Sequence, residues 1–200
     1  MLDVVKVLAT APDARGLTLE LSDLYPNLAV AQQINASADG NVRYLTESVD
    51  ATRVPADRPG VRTMICSLHH LRPELARATL KDSRDAKQPF LAFELSDNSR
   101  PRWLWWLAIP FAFLAVFFVT PKVRPLTWQQ LVFTYVIPVL PLFIAWDGAV
   151  SNARTYTAAD LDELLVPLRD RDDYRWEVGT VGGPGGQKLW LLGLPALTTR

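Results

Sequence analysis

Polar residues that could do chemistry follow three of the predicted strands. Asp23 and Asp50 end two of these strands, and the pair His69 and His70 follows the third. A carboxylate accepts hydrogen bonds from hydroxyl or amino groups, and an imidazole titrates near neutral pH, so it can take a proton from a substrate. The alternative for each residue is structural, since aspartate also starts turns and histidine also caps helices or packs in loops.

The elements that must position these residues alternate between helices and strands. A short amphipathic helix is predicted over 2–10, a strand ends at Asp23, and Asn27 is expected to cap the helix 28–36. Pro73 favours the start of the next helix. Strands separated by helices indicate a parallel, wound sheet, and its further elements are predicted over 42–49, 61–67, 73–87 and 90–95.

The C-terminal part predicts a different motif. Thr157 is expected to cap a helix that ends before Asp170. Two short strands, 174–178 and 188–192, are joined by a glycine-rich turn at 182–186, which is typical of a β-hairpin. The predicted class is therefore α/β, a mostly parallel sheet with a C-terminal β-hairpin and one hydrophobic helical insert at 101–150.

Composition limits the choice of function. The 200 residues are 49% hydrophobic, with 21 basic and 21 acidic side chains, which excludes disorder and a collagen-like repeat. Without net charge or a basic patch, no nucleic-acid partner is predicted. The single cysteine, Cys66, cannot form an internal disulfide, and Asp3 and Lys6 do not suit a secretory signal, so a cytoplasmic setting is expected. Adjacent histidines rarely reach one ion, so no metal site is predicted.

The order of the strand-end motifs resembles the class I, Rossmann-like S-adenosylmethionine-dependent methyltransferases. The quoted segments are Asp23-Leu24-Tyr25-Pro26, Ser48-Val49-Asp50-Ala51 with Val54-Pro55, ICSLHHL at 65–71 and PFLAFEL at 89–95. The resemblance covers roughly residues 15 to 95, and it depends on the order and spacing of motifs that are individually weak. It implies S-adenosyl-L-methionine as cofactor and one domain over 1–200.

The resemblance also implies roles for individual residues. Asp23 would hold the ribose hydroxyls, and Asp50 with Ala51 would lie beside the adenine. His69 or His70 would border the transferable methyl group and accept a proton from a small, apolar or lipid-like acceptor. The acceptor itself is expected near Asp147, Arg154 and Tyr156, although the helix cap at Thr157 explains part of that polar segment.

One part of the family pattern is not found in the sequence. The family's first strand and its Gly-x-Gly-x-Gly turn should precede the helix at 2–10, where only Met1 stands. The glycines of GGPGG at 182–186 join the last two strands and cannot serve as that turn. The sheet is therefore expected to be incomplete at its N-terminus, and the resemblance leaves open whether the chain is active in this form.

The apolar section 103–146 admits three interpretations. Its two uncharged runs, 103–121 and 125–146, approach the length of membrane spans and carry aromatic residues at their ends. They could equally form a soluble insert of short helices interrupted by prolines, or a lipophilic lid. The alternative function is accordingly a two-pass membrane protein with a non-catalytic, methyltransferase-like scaffold, and a third is a degenerate fold that regulates an active partner. Oligomeric state is not predicted.

Overall fold

The computed structural model describes residues 17–37, 41–101, 103–183 and 186–196. The helix predicted at 2–10 lies outside the described residues. The chain divides into two compact units, 1–59 and 60–200, and each is described by itself.

The N-terminal unit is built on two parallel strands. Strand β1 (Leu19–Leu21) pairs with β2 (Val42–Tyr44), and helix α1 (Leu28–Ser37) connects them. Asn27 caps α1 as predicted, because its Oδ1 accepts the N–H of Val30 at 3.1 Å. The side chain of Asn35 fastens α1 to the strand edge through both backbone groups of Tyr44.

The second strand is shorter than the predicted 42–49. It ends at Tyr44 because the chain bends at Thr46 and Glu47. At the bend, the guanidinium of Arg58 pairs with the carboxylates of both Glu47 and Glu20. Beyond the bend, the N–H of Val49 returns to the carbonyl of Asp23 at 2.9 Å, so the ends of the two strands stay together.

The C-terminal unit contains a four-stranded sheet. Its strands are β3 (Arg62–Ile65), β4 (Phe90–Glu94), β5 (Tyr174–Gly183) and β6 (Gly186–Pro195), in the order β3-β4-β6-β5. The β3–β4 pair is parallel, and β6 pairs antiparallel with both of its neighbours. The predicted α/β class, with parallel strands and a C-terminal antiparallel hairpin, is confirmed. The hairpin strands are longer than predicted because their ladder continues to the Gly183–Gly186 pair.

Two helices cover this sheet. Helix α2 (Pro73–Asp85) begins at the predicted proline. The second helix is α6 (Ala158–Leu165). It begins at the predicted cap, Thr157, whose hydroxyl accepts the N–H of Asp160. Apolar side chains of both helices and of the strands form the core; its members include Leu68, Ala76, Leu80, Phe90, Ala92, Leu161, Leu165, Leu189 and Leu191.

Between β4 and α6 the chain forms a helical pair, here called the apolar hairpin (residues 103–154). Helix α3 (Trp103–Val119) ends in a 3₁₀ turn, Thr120–Lys122. The return arm comprises α4 (Trp128–Leu131), a π-helical segment (Val132–Val136) and α5 (Val139–Arg154). Pro110 does not interrupt α3, contrary to the expectation for a soluble insert, whereas the return arm bends by 85° between Val136 and Val139.

One side chain in the loop after β4 bonds to both ends of the apolar hairpin. The buried Asn98 donates from Nδ2 to the carbonyl of Thr155 at 2.7 Å. Its Oδ1 accepts the indole N–H of Trp105, in the first turns of α3, at 3.2 Å. The start of one arm and the end of the other therefore meet at a single amide.

Candidate active site

The C-terminal ends of β3 and β4 bring a histidine and a glutamate into contact. Glu94 is the last residue of β4, and its Oε2 lies 2.8 Å from Nδ1 of His69. The other oxygen, Oε1, accepts the backbone N–H of His69 at 3.3 Å. Only 9% of the His69 side chain and 4% of the Glu94 side chain are exposed. A carboxylate buried to this degree needs such partners, because losing water is costly for a charged group.

The turn after β3 aims His69 at Glu94. Cys66 extends the ladder by one residue, donating its N–H to the carbonyl of Phe93, and then adopts a φ of 52°. Few residues other than glycine tolerate this left-handed conformation, which reverses the chain direction. The reversal leads into a 3₁₀ turn, Leu68–His70, which is anchored by the fully buried Leu68.

The contact with Glu94 determines what His69 can do. A carboxylate accepts hydrogen bonds only, so Nδ1 of a neutral His69 carries the proton and donates it to Glu94. Nε2 is then the basic nitrogen, and among the described residues it has no hydrogen-bond partner. The contact therefore leaves Nε2 as the ring nitrogen that can accept a hydrogen bond or a proton.

The two histidines predicted for catalysis have different partners. Their rings lie against each other, with centroids 4.2 Å apart and planes tilted by 38°. His70 is exposed and makes no hydrogen bond to Glu94. Of the two residues, only His69 has the partner that a general base needs.

Glu94 was not among the residues predicted from the sequence. The signal was present, because Phe90, Ala92 and Glu94 share one face of β4 and all three are buried. An acidic residue at a core-facing position of an apolar strand requires a partner. Behind Glu94, the side chains of Leu68, Tyr156 and Leu189 pack too closely to admit water.

Cys66 lies beside this pair. Burial, together with the charge of Glu94, raises the pKa of its thiol, so the thiol stays protonated near neutral pH. In the part of the chain that the structure describes, no three residues of the ligand types form a group able to hold a metal ion.

Tyr156 holds the other end of the histidine segment. Its hydroxyl donates to the carbonyl of Leu71 at 2.7 Å, two residues after His69. Burial is the main cause that raises the pKa of Tyr156, so the hydroxyl remains a donor. The residues predicted with it as acceptor ligands, Asp147 and Arg154, are exposed on α5 and make no ion pair with any described residue.

The two predicted cofactor-binding carboxylates lie at the ends of β1 and β2 in the N-terminal unit. Oδ1 of Asp23 accepts the N–H of Tyr25 at 2.8 Å. Oδ1 of Asp50 accepts both the N–H and the hydroxyl of Thr52, at 2.8 and 2.7 Å. The bond between Val49 and Asp23 brings the two strand ends together, and Ala51, half-buried, follows directly.

Asp23 and Asp50 can act as hydrogen-bond acceptors. The hydrogen bond from the backbone of Thr52 is the main cause that lowers the pKa of Asp50, so it is ionised at neutral pH. Both side chains are exposed, and within the described residues Oδ2 of each has no hydrogen-bond partner. Each can therefore accept a further hydrogen bond from a hydroxyl or an amino group.

The solved structures similar to this chain include LaPhzM and PigF. No family model and no curated protein matches the sequence. The crystal structure of LaPhzM is 16% identical, with a TM-score of 0.49, over 96% of this chain and 46% of that chain. The structure of PigF with SAH is 13% identical, with a TM-score of 0.48, over 94% of this chain and 53% of that chain. The chain spans about half the length of these two proteins, and neither likeness at this level assigns an activity to it.

Proposed function

We propose that the chain takes part in S-adenosylmethionine-dependent methyl transfer to a small, apolar or lipid-like acceptor. The observation that carries the proposal is the buried His69–Glu94 pair. Methyl transfer from an activated donor needs an aligned nucleophile and gains from a base that removes the nucleophile's proton. The sequence resemblance supplies the donor, and the pair supplies the base.

In this proposal, Nε2 of His69 takes the proton of the acceptor's nucleophilic atom while that atom forms its bond to the methyl carbon. Glu94 stabilises the imidazolium through the hydrogen bond at Nδ1. The bound cofactor would supply a methyl group on a positively charged sulfur, which keeps the electron pair of the broken carbon–sulfur bond. Tyr156 fixes the histidine segment through Leu71 and acts as a positioning residue.

Taken by itself, the N-terminal unit carries two carboxylates of the kind that accept hydrogen bonds from a nucleoside. Asp23 and Asp50 each offer an exposed carboxylate oxygen at the end of a parallel strand, where a ribose hydroxyl or an adenine amino group can donate. The residues described in this unit, 17–37 and 41–59, contain no glycine, so none of them provides the close backbone approach that the amino-acid end needs. The proposed match is therefore limited to the nucleoside.

Calorimetric titration of the chain with S-adenosylmethionine tests the donor part. We expect binding that Asp23→Ala and Asp50→Ala each weaken by about tenfold, the value of one strong hydrogen bond to a charged group. Asp57→Ala is the matched control, since Asp57 is an exposed acid of the same unit outside the strand ends. Absence of binding, or equal binding by the Asp23 variant, would overturn the proposal.

The alternative function, a non-catalytic scaffold in a membrane protein, makes a different prediction for His69. In a scaffold, the His69–Glu94 contact would contribute only to stability. His69→Gln would then lower the free energy of unfolding and change nothing else. If His69 acts as a base, the rate of methyl transfer should depend on pH, and this dependence should disappear in His69→Gln. Transfer from labelled S-adenosylmethionine to a panel of lipophilic hydroxyl compounds distinguishes the two.

A further inference from the structure

Large apolar side chains of the apolar hairpin point away from the protein. Phe111 is 75% exposed, Phe118 74% and Val136 73%. On α3 the exposed positions run around about 220° of the helix circumference at 100° per residue, which is wider than the stripe by which a helix contacts one neighbour. An apolar surface of this extent is unfavourable in water.

Apart from Val116, the fully buried residues of the hairpin are small or polar, although Phe117 and Tyr135 also meet across the two arms. Ala145 and Ala149 of α5 are buried, as are Thr120 and Thr134, whose hydroxyls lie 3.4 Å apart across the pair. Thr120 also donates to the carbonyl of Val116, one turn earlier, at 2.9 Å. Small residues and interhelical hydroxyl contacts inside, with large apolar residues outside, are the arrangement of helices packed in lipid. A hairpin folded in water would bury its phenylalanines.

Length and end groups agree with this arrangement. The helical segment Trp103–Lys122 is 20 residues long, which corresponds to about 30 Å, the thickness of a bilayer's hydrocarbon core. Trp106 and Trp146 pair at the end near the sheet, with ring centroids 5.3 Å apart. At the other end, Tyr135 donates its hydroxyl to the carbonyl of Phe117. Tryptophan and tyrosine prefer the two boundaries of a membrane.

Charged residues lie outside these aromatic positions. The 19 residues from Trp103 to Pro121 carry no charge, and Lys122 and Arg124 follow in the exposed turn. Arg100 precedes α3 at the other end. Cations at both ends suit the phosphate groups of lipids.

From these observations we propose that the apolar hairpin is embedded in the hydrocarbon core of a lipid bilayer and anchors the C-terminal unit to the membrane. The occupant of the exposed surface is lipid rather than a second copy of the chain, because one partner covers one face of a helix pair and the exposed arc of α3 exceeds one face. This inference is independent of the methyl-transfer proposal, since it depends on no residue of the candidate active site.

Flotation with phosphatidylcholine vesicles at high ionic strength tests the anchor with the full chain. Uncharged lipid and high salt remove binding that is only electrostatic, so we expect the chain to float with the vesicles. The double variant Phe111→Glu and Phe118→Glu places two carboxylates on the lipid-facing side of α3, and the bound fraction should fall by at least about tenfold. The matched control is Val61→Glu with Val166→Glu, which replaces equally exposed residues outside the hairpin and should float like the wild type.

A depth measurement covers the case in which the double variant fails to fold. In a Cys66→Ser background, a fluorophore attached at Phe111→Cys should be quenched by bromines on the lipid acyl chains, whereas one at Val166→Cys should not. Equal quenching at both sites, a wild-type chain that stays unbound, or a discrete dimer that does not bind vesicles would overturn the proposal.

Discussion

Nδ1 of His69 and a carboxylate oxygen of Glu94 lie 2.8 Å apart, on segments that follow β3 and end β4. The two residues are 25 positions apart in the chain, and a parallel strand pair brings them together. This single contact fixes the orientation of the ring and the nitrogen that can act as base. It also gives the most direct test of the candidate site.

The first prediction concerns the proton on His69. Nitrogen-15 spectra of the imidazole should show a neutral ring protonated at Nδ1 in the wild type. Glu94→Gln should convert a large part of the population to the Nε2–H form, because the amide can turn its NH₂ group toward Nδ1. His70→Gln is the control and should leave the His69 tautomer unchanged, since His70 makes no hydrogen bond to Glu94. An unchanged tautomer in Glu94→Gln would contradict the role of Glu94.

The second prediction concerns Tyr156 as the tether of the histidine segment. Tyr156→Phe removes the hydrogen bond to Leu71 and should lower the free energy of unfolding by about 0.5–1.5 kcal/mol. It should also speed amide hydrogen exchange at residues 68–71. The measurements are urea unfolding and exchange followed by mass spectrometry.

Tyr174→Phe is the matched control for the tether. The Tyr174 hydroxyl donates to the carbonyl of Gln88 at 2.8 Å, and burial raises its pKa to about 12. Its loss should lower stability by a similar amount without changing exchange at 68–71. If both variants sped exchange there equally, Tyr156 would have no local role.

The third prediction concerns the close approach of β6 to two aromatic rings. A Cβ at Gly193 would lie 2.5 Å from the Trp176 ring and 2.6 Å from the Tyr174 hydroxyl. Both aromatic residues are buried, so neither can move aside freely. Gly193→Ala should therefore destabilise the fold by about 1–3 kcal/mol in urea unfolding. Gly182→Ala, where the nearest atom is 3.9 Å away, should change stability far less.

The fourth prediction concerns stability at acid pH. A hydrogen bond from Arg171, and a further one from Lys87, lower the pKa of Asp173 from 3.8 to about 2. The unfolded chain then binds the proton at higher pH than the folded chain, so the contribution of Asp173 is complete above about pH 4–5 and is lost as the pH falls toward 2. The midpoint difference between wild type and Asp173→Asn should be small, because the pair is exposed, and should vanish near pH 2.

Thermal unfolding across this pH range checks the fourth prediction. Asp172→Asn is its control, because Asp172 makes no ion pair with any described residue. A difference between Asp173→Asn and wild type that stayed constant from pH 6 to pH 2 would show that the side chain acts through something other than its charge.

Local sequence patterns predicted where helices and strands begin. They did not predict the features that depend on contacts between residues distant in the sequence. Asn27, Pro73 and Thr157 begin helices because capping and proline geometry are local properties. The predicted end of β2 at Val49 was wrong, since the strand ends at Tyr44 and is followed by a bend in which Glu47 pairs with the more distant Arg58. Glu94 was missed although its place on the buried face of β4 calls for a partner, because that partner, His69, comes from the turn after β3.

The roles predicted for the site residues stay predictions, but the structure ranks them. His69 has a buried partner that His70 does not have, and Tyr156 has a backbone partner that Asp147 and Arg154 do not have among the described residues. These differences arise from packing across strands and helices. A pattern of residue types along one strand cannot express them.

The two arms of the apolar hairpin are fastened at one buried amide, that of Asn98. Only three residues separate Asn98 from Glu94. Asn98 therefore ties both ends of the hairpin to the segment that directly follows the carboxylate facing His69.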